Sequence, residues 1–195
     1  MQFPTLELGL PDWVGEFVES SGIFHPSVEG RMRFAIELSR LNVRHGTGGP
    51  FGAAVFDQGT GELLAPGVNL VTSANCSMAH AEIVALTIAQ QVSGSFDLGG
   101  PGKPRYELVA STDPCAMCLG ATPWSGVRSL VCGASGEDAE EIGFDEGVKP
   151  EGWEQEFQKR GIAVKRAVLR EAAATVLEEY AAMGGEIYNP RKGSS

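Results

Sequence analysis

Two short stretches carry side chains able to do chemistry together: His80-Ala81-Glu82 and Pro114-Cys115-Ala116-Met117-Cys118. One imidazole and two thiols are ligands of the kind zinc takes, and they fall one short of its tetrahedral four. A structural zinc site fills the last place with another side chain. A catalytic site leaves that place to water, whose protons a nearby carboxylate can move. Glu82 is the carboxylate placed for that work.

Each half alone has a plainer reading. A C-x-x-C pair also serves redox chemistry, and a single histidine is more often a packed core residue than a ligand. Their conjunction, with Glu two after His and Pro before the first Cys, favours zinc. Cys115 and Cys118 stand at i and i+3, so one helical turn brings both sulfurs to one face. Pro114, lacking an N–H, suits the start of that helix. His80 and Glu82 stand at i and i+2 and do not share a helix face. The spacing therefore puts His80 at the very start of a helix over 80–92, with Glu82 approaching the ion from another side. Both ligand groups then sit at helix N-termini, whose positive dipole ends favour thiolate and an ionised water.

The elements that must position these groups are legible in outline. Residues 1–25 read as an irregular lead-in with one short helix after Pro11, whose apolar face is Trp13, Val14, Phe17 and Val18. From Pro26 to about Arg44, apolar residues recur at three- and four-residue steps, with Ser27 as N-cap. The nearly all-apolar run 51–56 is a strand covered on both faces. Asp57–Gly61 signals a hairpin turn leading to a partner strand over 62–71, with Pro66-Gly67 suggesting a bulge or bend. The helix after His80 is apolar on most sides and should lie against a sheet. Further strands are expected over 106–111, 128–132 and 162–168, helical and acidic segments over 135–160, and an amphipathic helix over 170–183. The tail 186–195 is polar. Strands alternating with helices predict an α/β fold, a three-layer α/β/α arrangement around a central mixed five-stranded sheet.

Length and composition set bounds. The 195 residues suit one domain over 1–195, and 43% hydrophobic with 21% charged residues is ordinary for a globular chain. No apolar run approaches the ~20 residues a bilayer span needs, and the N-terminus lacks a secretory signal. Four cysteines are too few for a disulfide scaffold; Cys76 and Cys132 are expected as reduced core or near-site thiols, and a reducing cytoplasm follows. The formal net charge of −10, with scattered Lys and Arg, fits a small neutral substrate better than a polynucleotide.

With these residues in view, the H-x-E…P-C-x-x-C pattern is the signature of zinc-dependent nucleobase deaminases. The chain resembles the cytidine deaminase-like superfamily and, within it, the guanine deaminase group. The likeness covers roughly residues 28–190. It includes Gly49-Pro50-Phe51-Gly52-Ala53, Gly67-Val68-Asn69, Pro123-Trp124-Ser125-Gly126-Val127 and Ile142-Gly143-Phe144-Asp145-Glu146. The G-F-D-E stretch discriminates best, because free-base purine deaminases of this type carry an acidic pair there. The resemblance implies hydrolytic deamination of guanine to xanthine and ammonia, with Glu82 shuttling protons and Zn2+ held by His80, Cys115 and Cys118. It further implies that Asn69 hydrogen-bonds the purine edge, that Phe51 and Trp124 line the pocket, and that the backbone of Ala81 meets the base's polar edge. Glu146 would be a second acid/base or anchoring carboxylate, with Asp145 as the alternative. In this group the C-terminal segment often closes the pocket, sometimes across a homodimer, and Tyr188 is the aromatic placed to do so.

Core packing competes for Phe51 and Trp124, a strand-end turn for Asn69 and a solvated loop for the acidic pair; His25 and His45 read as structural or surface residues. Other readings of the whole are a deaminase of another aminated heterocycle (an aminopyrimidine or aminotriazine), then a tRNA adenosine deaminase. The last is a non-catalytic zinc-stabilised binding module, which would need a fourth ligand such as Cys76 or Cys132.

Overall fold

The computed structural model describes residues 8–189. Its frame is a five-stranded sheet in the order β2-β1-β3-β4-β5, comprising β1 (Gly52–Asp57), β2 (Leu63–Val68), β3 (Tyr106–Thr112), β4 (Ser129–Ala134) and β5 (Ala163–Lys165). β1 is antiparallel to both β2 and β3, while β3, β4 and β5 run parallel, so the sheet is mixed as expected.

Alternation along the strands splits the core into two faces. Ala54, Phe56, Val109 and Val131 point to one side. There they meet α2 (Val28–Arg44) and α7 (Arg170–Ala182), with α1 (Asp12–Ser21) beyond through Trp13 and Val14. Ala53, Val55, Leu108, Ala110, Leu130 and Cys132 point to the other side. They meet α3 (Ala81–Ser93), α4 (Ala116–Ser125) and Phe157 of α6 (Trp153–Lys159). Three layers result, α/β/α. Gly67 lets the layers close up: a Cβ there would strike the backbone of Ala81 and Ala85 in α3.

Several boundaries moved for physical reasons. Ser27 caps α2 as expected, accepting from the Gly30 N–H at 3.0 Å. In β2 the register runs unbroken through Pro66 and Gly67, and the irregularity lies instead where Val55 pairs Ala65 but Phe56 pairs Leu63. β2 is an edge strand, so Pro66 needs no bulge to hide its missing N–H. β5 spans three residues rather than 162–168, because Ala167 and Leu169 take positive φ (59° and 54°), which extended backbone does not allow. Pro114 lies two residues before Ala116, the first residue of its helix, with Cys115 between them as the N-cap. Of the tail 186–195, residues 190–195 fall outside the described residues, as do residues 1–7 of the lead-in. Among the described residues no helix is long and apolar enough to cross a membrane.

Candidate active site

The site lies where two helices begin. His80 is the N-cap of α3 and Cys115 the N-cap of α4, each in extended backbone just before its helix. β3 delivers the chain directly to Asp113-Pro114-Cys115, at the C-terminal end of the parallel pair where α/β folds commonly place their sites. His80 Nδ1 is 3.4 Å from Cys115 Sγ and 3.7 Å from Cys118 Sγ. One ligand atom from each of the three residues lies within 4.8 Å of the others. Among the described residues, no other His, Cys, Asp or Glu joins this group.

The donor chemistry fits a thiophilic divalent ion. Burial discourages a charge on His80, but its hydrogen bond to Cys115 and the carboxylates of Glu82 and Glu146 outweigh this and raise its pKa. Cys115 is lowered to about 4 by hydrogen bonds from the Cys118 thiol and His80, while Cys118 is pushed up by sharing that bond and by burial. A cation at their centre would let both sulfurs ionise. Cys132 is buried instead against Asp113, and Cys76 is half-buried, so neither supplies a fourth ligand.

A cavity of about 320 Å³ opens beside the three ligands, at the small end of the range for small-molecule sites. Glu82 lines it, almost fully buried, and burial followed by the neighbouring Cys115 raises its pKa. The aromatic wall is Phe51, Phe144 and Tyr188. Phe51 meets Phe144 edge-on at 4.9 Å, and Phe144 lies 5.1 Å from Tyr188. Glu146 also lines the cavity; burial pushes its pKa up to about 7, opposed by Lys149 Nζ at 3.0 Å from Oε2. The Glu146 carbonyl accepts the Ala116 N–H at 2.9 Å, tying this loop to the start of α4.

Glu146 and Asp145 separate clearly. Both line the cavity, but Glu146 is buried in its wall, whereas Asp145 is exposed and its carboxylate accepts the Gly147 N–H at 2.9 Å to make a tight turn. Asn69 is fully buried between two lining residues: its N–H donates to the Phe51 carbonyl, and its Oδ1 accepts from Val71 N–H at 3.2 Å. Among the described residues its Nδ2 has no partner, and neither does the buried Tyr188 hydroxyl. Ala81 is buried in the first turn of α3. His45 stacks on Trp13, and His25 packs against Phe34, both away from the site.

Trp124 does not line this cavity. It is 87% exposed, on a groove it shares with Pro123, Val148 and Trp153. Trp124 sits nine residues after Cys115, so α4 carries it about 13 Å from the ligand end at 1.5 Å per residue. Sequence reasoning also passed over several lining residues, among them Asp113, Phe144, Ser77 and Asn189. Asp113 had a signal, standing directly before Pro114-Cys115. Asn189 had none: its side chain reaches back to donate to the Gly143 carbonyl (2.7 Å) and accept from Asp145 N–H (3.1 Å).

Comparison with known proteins agrees with this geometry. Residues 27–134 match the family described as the cytidine and deoxycytidylate deaminase zinc-binding region. A guanine deaminase of Bacillus subtilis (strain 168) is 37% identical over 115 residues, 59% of this chain and 69% of that protein. A solved guanine deaminase from Nitrosomonas europaea is 45% identical, with 93% of this chain and 99% of that one covered at a TM-score of 0.86. A structure solved in complex with 2,6-diaminopurine is 47% identical, covering 95% of this chain and 97% of that one at a TM-score of 0.87. With its histidine, two cysteines and glutamate gathered at two helix starts, the chain belongs to the zinc-binding cytidine and deoxycytidylate deaminase family, in its guanine deaminase group.

Proposed function

We propose that this protein is a zinc-dependent aminohydrolase that converts guanine and water to xanthine and ammonia. The observation that carries the reading is the buried Glu82 carboxylate, set between a three-ligand metal group and an aromatic-walled cavity sized for a free base. Relatives named as guanine deaminases, and one solved with an aminopurine, support it.

His80, Cys115 and Cys118 would hold the zinc, which when bound supplies Lewis acidity and a water acidic enough to react near neutral pH. The chain's own groups handle the rest. Phe51, Phe144 and Tyr188 clamp the flat base, while Asn69 Nδ2 and the Ala81 backbone meet its polar edges. Glu82 takes a proton from the attacking water, delivers it to the ring nitrogen beside C2, and passes the second to the departing amine. Its burial raises its proton affinity toward what such a two-way relay needs. Glu146, buried and near half-protonated at neutral pH, is the second acid/base or anchoring carboxylate, and Asp145 braces its turn.

The same reading takes residues 1–195 as one domain acting in a reducing cytoplasm, consistent with four unpaired cysteines. It takes the protein as a homodimer, with the exposed Trp124 and Val148 offering apolar surface. Another aminated heterocycle would fit a cavity of this size, whereas a tRNA substrate sits poorly with a net charge of −10. The test is ammonia release from guanine, adenine, cytosine and cytidine by purified zinc-loaded protein. Guanine is expected to turn over, and activity confined to cytidine would reject the substrate assignment.

A further inference from the structure

Asn42, near the end of α2, lines no part of the cavity and has no role in the chemistry above, yet it is fully buried with its whole amide engaged. Its Nδ2 donates to the Asn69 carbonyl at 2.8 Å and to the Gly49 carbonyl at 2.9 Å. Its Oδ1 accepts from the Thr47 hydroxyl at 2.7 Å, and that hydroxyl accepts in turn from Trp13 Nε1 at 3.2 Å.

The direction of this chain of bonds is forced. An indole N–H can only donate, so Thr47 Oγ1 must accept from Trp13 and spend its one proton on Asn42. Asn42 must then turn its oxygen to Thr47 and both amide hydrogens to the two carbonyls. A flipped amide would set oxygen against two carbonyl oxygens. The backbone is drawn in closely here: a Cβ on Gly48 would collide with the Asn69 carbonyl and crowd Asn42 Nδ2. Asn69 is thus held from its backbone side by Asn42 and from its side-chain oxygen by the Val71 N–H. Of its side-chain polar atoms, only the buried Nδ2 has no partner among the described residues.

We infer that Trp13, Thr47 and Asn42 form a positioning relay that presents Asn69 Nδ2 to an acceptor on the base, so that α1 contributes to substrate affinity from outside the family-matched residues 27–134. Trp13 is anchored for this by stacking on His45, with ring centres 5.1 Å apart and planes 4° apart. The inference rests on the guanine deaminase reading, since it needs a base in the cavity.

Zinc-loaded protein would be assayed for KM and kcat on guanine, for the inhibition constant of the product xanthine, and for Tm. Asn42→Asp keeps size and the Thr47-facing oxygen but removes both donors; Thr47→Val keeps shape but breaks the relay. We expect the xanthine inhibition constant and KM to rise about tenfold in Asn42→Asp and about threefold in Thr47→Val, because both act through the single Asn69–base hydrogen bond, whose complete loss is worth about tenfold. kcat should stay within twofold in both. Thr47→Val carries the test if Asn42→Asp fails to fold. A lower Tm with unchanged KM and inhibition constant would mean a purely structural network and overturn the inference. A parent protein that neither turns over guanine nor binds xanthine would overturn the functional reading itself, and the relay with it.

Discussion

The cavity wall bearing His80 and Cys115, with the fully buried Cys118 beside them, is made by two helix starts seated on the ends of a buried sheet. The facing wall is assembled from Phe51 at the head of β1, Phe144 and Glu146 in the loop after α5 (Gly136–Glu141), and Tyr188 beyond α7. In the proposed reading the first wall would hold a point charge through side chains fixed by local backbone. The second would have to fit a flat, extended molecule, and its side chains come from segments far apart in the chain. Chemistry is therefore local and selectivity is not. The metal wall should tolerate almost no change, while the base wall should respond in graded steps.

The sharpest way to break that contrast is Glu82→Gln. Zinc content and fold should be retained while kcat falls ~10³-fold or more, the scale of a lost general acid/base. Metal analysis beside ammonia-release kinetics checks both halves, and loss of zinc along with activity would make Glu82 a structural part of the metal wall.

A graded effect is expected from Glu146, whose proton affinity is set by tertiary burial. Its folded pKa is raised from 4.5 to about 7, so the folded state holds a proton that the unfolded state releases first. The contribution is fully present below pH 4.5 and is lost as pH rises through about 7. Relative to Glu146→Gln, which cannot titrate, zinc-stripped parent should lose roughly 3 kcal/mol of stability between pH 4 and pH 8, at about 1.4 kcal/mol for each tenfold difference in proton affinity between the folded and unfolded states. Denaturant unfolding of both proteins at the two pH values measures this. A parallel pH dependence in the two would show that Glu146 is solvated.

The smallest change is expected at Trp124, which belongs to neither wall. Trp124→Ala should leave KM for guanine within about twofold and monomer stability within ~0.5 kcal/mol, as for an exposed substitution. A large rise in KM would return Trp124 to the pocket.

This difference between the walls also explains what could be read in advance. His80, Glu82, Cys115 and Cys118 announce themselves because ligand spacing and helix capping are properties of a few consecutive residues. The strands and the layer order followed from periodicity; the errors were the bulge expected at Pro66-Gly67 and strand ends such as that of β5, where two positive-φ residues stop the strand. The resemblance supplied Phe51, Asn69, Ala81, Asp145, Glu146 and Tyr188 as candidates; Phe51, Asp145, Glu146 and Tyr188 line the cavity, whereas Ala81 and Asn69 do not, Asn69 being buried beside its lining residues. Trp124 went astray because its distance from the ligands depends on the direction of α4, which residue type does not encode.

The amino-acid sequence by itself determined the candidate metal group His80, Cys115 and Cys118, the neighbouring carboxylate Glu82 and the alternation that makes three layers, since each depends on contacts between near neighbours or on strand and helix period. Only the tertiary structure decided which acid of the Asp145-Glu146 pair is buried, that Asn189 fastens the loop carrying it, and that Asn42 holds Asn69. Burial and hydrogen-bond partners arise when distant segments close on one another, and no local pattern records that closure.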